Sequence, residues 1–295
     1  FIGMNILQIL VRQGIHVRAL FRTRPAKGLL DIPGVSWIRG HLSDQSSLRE
    51  LTRGADAVIH CAGLVKASRP EEFFLVNRDG TEKLIEAVAM ENPSCPFVLI
   101  SSLAARHPEV SPYGRSKFEA EQAVAQLHKG PWTILRPPAV YGPGDKEILP
   151  LFKAMERGVA LIPAPSSNRF SLLHVLDLAE AVLEMASNPK VIGKTLELHD
   201  GTPGGYSWKE VVKIFGEVTG KRPVTITLPP TLLKGLGHLG LFTSRILGRP
   251  IMLTPWKVRE LLHPDWVCTN HRENSGLFWR PRFTLKIALE NGLIG

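Results

Sequence analysis

Residues 97–136, FVLISSLAARHPEVSPYGRSKFEAEQAVAQLHKGPWTILR, read as one strand, helix, strand unit. The apolar run 97–101 (FVLIS) predicts a strand, 114–128 a helix, and 132–136 (WTILR) the next strand. Working upstream, the same rhythm continues with strands at 15–21 (IHVRALF), 35–38 and 56–61 (DAVIHC) and helices at 44–53 and 71–90. Short β-rich runs alternating with helices are the signature of a doubly wound parallel α/β sheet. At the other end, Phe1-Ile2-Gly3 leads straight into a helical apolar pattern at Ile6, Leu7, Leu10 and Val11. The sequence therefore reads as beginning inside the first motif of that sheet.

Past Pro137 the rhythm changes. The segment RPPAVYGPGD is turn-rich, a helix is predicted at 147–157, a short loop follows, and another helix spans 175–187. Pro and Gly punctuate this half densely. One further strand is predicted at 195–199 and one helix at 208–219, ahead of a mixed tail containing LTPWKVRELL and FTLKIALENG. The expected organisation is a dinucleotide-binding domain over 1–142 with returning segments near 171–200. A smaller substrate lobe takes 143–170 and 201–295, with Trp208, Trp256, Trp266 and Trp279 expected in its core. No internal repeat or low-complexity tract interrupts the chain.

A chain of 295 residues with 44% hydrophobic content can bury a full core. The 36 basic and 27 acidic side chains give a net charge of +9, yet they are scattered, which argues against a nucleic-acid binder and favours anionic small ligands. Three cysteines, Cys61, Cys95 and Cys268, form no CxxC and suit a reducing, cytoplasmic setting. His263, Cys268 and His271 lack a fourth ligand and a recognised spacing, so no metal is expected. No secretory leader and no run long enough to span a bilayer is visible. The nearest approach is the Gly-rich apolar stretch Leu228 to Leu247, broken by Lys234, His238 and Arg245. An amphipathic helix walling a substrate pocket is the preferred reading of that stretch, and peripheral membrane contact is the alternative.

Chemistry concentrates at Ser101-Ser102, which ends the strand, and at Tyr113-Gly-Arg-Ser-Lys117, which opens the helix. Tyr and Lys four residues apart share a helical face. Interconverting a carbonyl and an alcohol needs a proton donor beside the reacting oxygen, and a phenol with a pKa of about 10 is a poor one near neutrality. A nearby lysine cation would stabilise the phenolate, and the same cation can bond a cofactor ribose. A serine hydroxyl at the strand end can hold the substrate oxygen beside the phenol.

With these motifs in order, the chain resembles the extended short-chain dehydrogenase/reductases, the NAD(P)-dependent epimerase/dehydratase family. Phe1-Ile2-Gly3 resembles the end of that family's TGxxGFxG phosphate loop, which makes Gly3 its last glycine. Residues 56–63 (DAVIHCAG) resemble the strand that ends beside the adenosine ribose, so Cys61, Ala62 and Gly63 are expected at the cofactor; Cys61 itself is read as a small apolar filler. Asn77-Arg-Asp-Gly-Thr81 resembles the NxxGT helix, and Arg136-Pro-Pro-Ala-Val-Tyr-Gly-Pro-Gly144 the RPxxVYGPG segment, which adds Asn77, Pro137 and Val140. His174-Val-Leu-Asp177 resembles the HVxD segment, where a structural cap is expected. The family's SSxxxYG run implies that Ser102 is the catalytic serine, with Ser101 as the fallback. In this chain Arg106-His107 stands where that run has Tyr-Gly, and the connection to Tyr113 is short, which disfavours nucleotide-sugar substrates.

Cofactor choice is read from the residues after strand 15–21. An acid there would bond the ribose hydroxyls of NAD, whereas arginine suits the extra phosphate of NADP. The chain has Phe21-Arg22-Thr-Arg24 and no acid before Asp31, so NADP(H) is expected on Arg22 and Arg24, with NAD second. In Gly40-His-Leu-Ser-Asp44, Leu42 is expected against the adenine, and Asp44 serves as a helix N-cap or a ligand. The expected function is an NADP(H)-dependent oxidoreductase interconverting a hydroxyl and a ketone on a moderately apolar small molecule, with Ser102, Tyr113 and Lys117 at its centre. The alternatives are an NAD-using nucleotide-sugar epimerase or dehydratase and a non-catalytic cofactor-binding assembly protein. The resemblance also implies a homodimer through helices 71–90 and 114–128.

Overall fold

The structure is a computed structural model that describes residues 1–23, 31–163, 165–269 and 276–295. Arg24 and His271 lie outside the described residues. The chain opens with helix α1 (Ile2–Arg12), then parallel strands β1 (Val17–Phe21) and β2 (Val35–Arg39), helix α2 (Gln45–Thr52) and strand β3 (Val58–His60). Next come α3 (Pro70–Asn77), α4 (Asp79–Glu91), β4 (Phe97–Ile100), α5 (Pro112–Leu127) and β5 (Trp132–Leu135). This is a Rossmann-like α/β fold.

The predicted single helix 71–90 is two, divided at Arg78. Thr81 donates its hydroxyl to the Asn77 carbonyl at 2.6 Å, a back-bond of the kind that bends helices.

Strand β10 (Lys194–Leu196) joins β5, β4 and β3 in the order β10-β5-β4-β3, every pair parallel. Successive side chains of a strand point to opposite faces, and β4 shows why both faces need cover. Val98 and Ile100 pack into a core built from α1 and from α7 (Val175–Met185), while Phe97 and Leu99 pack against α2, α4 and α5. A strand that is apolar on both faces fits a buried parallel sheet.

The segment read as a short loop before 175 contains three strands. Strand β6 (Ala139–Tyr141) and helix α6 (Leu149–Glu156) precede β7 (Val159–Pro163), β8 (Arg169–Phe170) and β9 (Leu172–His174). Residues 159–163 (VALIP) are apolar at nearly every position, so no polar alternation marks them; β8 and β9 are shorter still. Strand β9 pairs with β6, and β11 (Tyr206–Ser207) pairs with β8.

A third core gathers Tyr141, Phe152, Leu172, Tyr206, Phe215 and Leu289 around α6, α8 (Trp208–Thr219) and α11 (Leu285–Glu290). Helix α8 starts with a full capping box of Ser207 and Glu210. Strand β12 (Val224–Leu228) pairs with β7 and runs into helix α9 (Pro230–Leu247), which packs on α10 (Pro255–Leu262); β13 (Asp265–Trp266) adds to β8. Trp279 departs from the expectation of a second-lobe core residue. With Leu277 it packs among α1 and α7, where Glu184 accepts the backbone N–H groups of Phe278 and Trp279.

Candidate active site

Three sheet-edge segments converge where β3, β4 and β5 end. Ser102 follows β4 and caps a short 3-10 turn (Leu103–Arg106), accepting a hydrogen bond from the Ala104 N–H. Tyr113 stands in the first turn of α5, whose N-cap Ser111 accepts from the Gly114 N–H at 2.9 Å. Gly114 has to be small, because a Cβ there would lie 2.6 Å from the Ala104 carbonyl oxygen. That close approach holds the start of α5 against the serine turn. One helical turn further, Lys117 is buried and donates from Nζ to the Ile100 carbonyl at 2.8 Å.

The electrostatics differ from the sequence expectation. Burial pushes the Tyr113 phenol above its ordinary range, and a hydrogen bond with Ser102 pulls it back. The cation acting on the phenol is Lys257 from α10, opposed by Glu260. Lys117 was expected in that role, but its ammonium is engaged by the Ile100 carbonyl at the strand end. Burial holds Lys117 itself down to about 8, with Glu121 and Cys61 pulling it upward. Lys257 and Glu260 therefore belong to the site, although no motif in the sequence marks them. They bond each other at 2.9 Å, and Glu260 also accepts from the Ser111 hydroxyl at 2.5 Å. A hydrogen-bonded path thus runs from α10 to the N-terminus of α5.

A second polar path lies behind Ser101. Ser101 donates to Glu121, and Glu121 receives Arg136 through both carboxylate oxygens at 2.6–3.2 Å. The guanidinium of Arg136 also stands 4.0 Å from Glu197, which pairs with Arg106 at 3.2 Å. Arg106 in addition bonds the carbonyls of Val267 and Asp265. The residue that departs from the family's serine segment thus ties segment 265–267 to the sheet. Ser101 is committed to this network, whereas the Ser102 hydroxyl faces Tyr113.

The expected cofactor residues fall as follows. Gly63 lies in the loop three residues after β3, where a Cβ would come 3.2 Å from Asn77 Oδ1 and 3.6 Å from Lys117 Nζ. Ala62 and Gly63 are exposed. Asn77 clasps the next residue, accepting from the Leu64 N–H and donating to the Leu64 carbonyl and to Ser116. It shapes the loop rather than offering a free amide. Gly3 approaches Cys61, whose thiol burial pushes up to about 11, an inert filler. Leu42 leans on α4 at Gly80, and Asp44 is the N-cap of α2, bonding the Ser46 N–H. Arg22 is exposed just past the end of β1, whose last residue, Phe21, pairs with Arg39 of β2. Buried Pro137 accepts from the Leu103 N–H, and Val140 lies in β6, half-buried against the first core. His174 caps α7 and meets the Leu293 carbonyl at 2.9 Å, and Asp177 accepts from the N–H groups of Arg282 and Phe283. Among the described residues no group of three His, Cys, Asp or Glu is placed to hold a metal ion.

The wall facing Tyr113 is apolar. Ala67, Phe73 and Trp256 form a buried cluster joined by Leu64, Leu241 and the tyrosine ring, which meets Phe73 edge-on at 5.9 Å.

Beneath the site, buried His60 shares a 3.0 Å hydrogen bond with Thr81, and burial followed by the Lys117 charge lowers its pKa to about 3. Its folded-state pKa lies below the unfolded value of about 6.5, so the unfolded chain binds the proton first. Stability present above pH 6.5 is lost as pH falls toward 3. Between pH 7.5 and 4.5 this group should cost about 2–3 kcal/mol. Urea unfolding of His60→Gln at both pH values is expected to show a correspondingly smaller acid loss than the parent; an equal loss would rule His60 out as the acid-sensitive group.

The family model described as "NAD dependent epimerase/dehydratase family" matches residues 1–198. The chain is 36% identical over 266 residues to a protein named ceramide reductase from Caulobacter vibrioides, covering 90% of this chain and 82% of that one. It is 28% identical over 268 residues to the 4-hydroxy-2-methyl-3-oxo-4-farnesyl-3,4-dihydroquinoline-1-oxide ketoreductase of Stigmatella aurantiaca, covering 81% and 77%. The solved structure of MoeE5 in complex with UDP-glucose and NAD shares the fold, with a TM-score of 0.74 over 98% of this chain and 93% of that one at 22% identity.

Proposed function

Because this chain belongs to the NAD dependent epimerase/dehydratase family, we propose that it is an NADP(H)-dependent reductase of a ketone carried by a long-chain, lipid-like molecule. The observation that carries this reading is the close approach at Gly114, which holds the first turn of α5 with Tyr113 against the turn capped by Ser102, one helical turn from buried Lys117 and beside an apolar wall of Ala67, Phe73 and Trp256. Two relatives are named for reducing ceramide or a farnesylated quinoline ketone, and that apolar wall fits the hydrocarbon parts of such substrates. It offers a sugar nucleotide few polar partners.

The chain's own residues fit a nicotinamide dinucleotide. The bare backbone of Gly63 leaves a cradle beside Lys117 that a Cβ would fill. Gly3 at the start of α1, exposed Ala62 and Gly63, half-exposed Leu42 and Val140, Pro137 and the Lys117 ammonium would hold it, and the exposed Arg22 would meet a ribose phosphate. When bound, such a cofactor supplies the hydride. The protein does the rest. Ser102 donates its hydroxyl to the substrate oxygen, Tyr113 delivers the phenolic proton to that same oxygen, and Lys257, the cation that acts on the phenol, stabilises the phenolate left behind. A phenol held above its ordinary pKa is fully protonated at neutral pH, the form that reduction requires. Phe73 and Trp256 keep water from the phenol.

The test uses pure protein with NADPH or NADH and a long-chain 2-acylamino-3-ketone, the oxidised form of a ceramide headgroup. NADPH is expected to be consumed one for one with alcohol formed. Arg22→Glu should weaken NADPH binding by about 10- to 100-fold, the worth of one charge-assisted bond, and leave NADH binding nearly unchanged. Tightly bound NAD, together with turnover of a nucleotide sugar and no net redox change, would replace this reading with an epimerase.

A further inference from the structure

Helix α9 presents three distinct faces. Leu233, Gly237 and Ser244 are buried against the rest of the lobe. At 100° per residue, Lys234, His238 and Arg245 fall together on a second, exposed row. The remaining face carries Leu232, Leu236, Leu239, Phe242, Ile246 and Leu247, all exposed, the last two at 67% and 61%. A solvated helix would be expected to carry polar residues there.

We propose that α9 docks flat on the surface of an anionic lipid bilayer, inserting this apolar stripe while its cationic row meets the headgroups. The charge around the helix fits that partner. Between Glu217 and Glu260 the chain has no acidic residue and seven Lys or Arg. An apolar stripe edged by cations is the pattern of a helix that lies in the interface plane, and basic side chains near an anionic surface strengthen such binding. No helix among the described residues is long and apolar enough to cross a membrane, so α9 lies on the bilayer and does not span it.

The inner side of α9 reaches the candidate site. Leu241 packs in the cluster that holds Trp256, Phe73 and Tyr113, and Ser244 bonds Ser68 at 2.8 Å, on the loop that follows Gly63. Docking would therefore set the apolar cluster that faces Tyr113 next to the lipid phase, where a long-chain ketone resides. The docking itself stands on α9 alone and does not need the reductase reading, so binding and turnover can fail separately.

Flotation of the full chain with vesicles tests it. Vesicles holding about 30% phosphatidylserine should carry the protein to the top of the gradient, with phosphatidylcholine vesicles binding about tenfold less. Phe242→Glu/Ile246→Glu should lower recovery by about tenfold or more, because both stripe positions become charged. Lys234→Glu/Arg245→Glu should remove the preference for anionic lipid and its salt sensitivity. Thermal midpoints and cofactor binding of both variants should match the parent, which separates lost docking from misfolding. Absence of vesicle binding would overturn the proposal. So would equal binding by parent and variants, or a dimer in solution that Phe242→Glu dissociates, since the stripe would then be a subunit interface.

Discussion

Replacing Tyr113 by Phe is expected to lower the rate of ketone reduction by about 10³-fold, within the range a positioned general acid supplies. Cofactor affinity should stay within about threefold, since the ring that packs on Phe73 and the Lys117 contact both remain. The effect belongs to kcat because the phenolic proton is needed only as the alkoxide forms. Ser102→Ala should cost less, as it removes one donor to the oxygen and leaves the proton source in place. Single-turnover kinetics on both variants check the order. A Tyr113→Phe enzyme retaining a tenth of the parent rate would show that the proton comes from elsewhere, with the nearby Lys257–Glu260 pair the first group to examine.

The second large effect lies behind the site. Glu121 is buried on α5 and holds the Arg136 guanidinium by two oxygens while accepting from Ser101. Removing it as Glu121→Ala leaves Arg136 partly buried with only Glu197 at 4.0 Å, and a broken buried pair costs about 3–5 kcal/mol. The same change removes a carboxylate that pulls the Lys117 pKa upward, so Lys117 should lose its proton below about 8. Turnover should accordingly fall at a lower pH than in the parent, a signature that general loosening would not give. Urea unfolding and a pH profile measure the two effects. The paired change Glu121→Leu/Arg136→Met, which removes both charges, should recover most of the stability. A loss below 1 kcal/mol in Glu121→Ala would mean that solvent or Glu197 already carries Arg136.

The sequence made the sheet legible because β4 and its neighbours are short apolar runs separated by helices of ordinary length. Ser102, Tyr113 and Lys117 were legible for a related reason: all three lie within one strand, helix, strand unit, so chain order already sets their proximity. Lys257 and Glu260 approach the same tyrosine from a helix far along the chain, and no local pattern in LTPWKVRELL announces that approach. The Glu121 pair did leave a signal, a carboxylate among Ala120, Ala123 and Val124 on the buried side of α5. An acid on an apolar face demands a cation, and Arg136 at the next strand end supplies it. Strands β7 to β9 were missed because they alternate too little or run too briefly for a period to register. Trp279 was misassigned because a terminal segment can fold back on the first core without any mark in its own composition.

The most direct test of the central claim follows deuterium from 4-deuterated NADPH into a long-chain 2-acylamino-3-ketone, with the product examined by mass spectrometry. The account predicts one deuterium on the carbinol carbon, from one face of the nicotinamide only, and one NADPH oxidised per alcohol formed. Unlabelled alcohol, or a deuterium-free isomerised product with the cofactor unchanged, would contradict it.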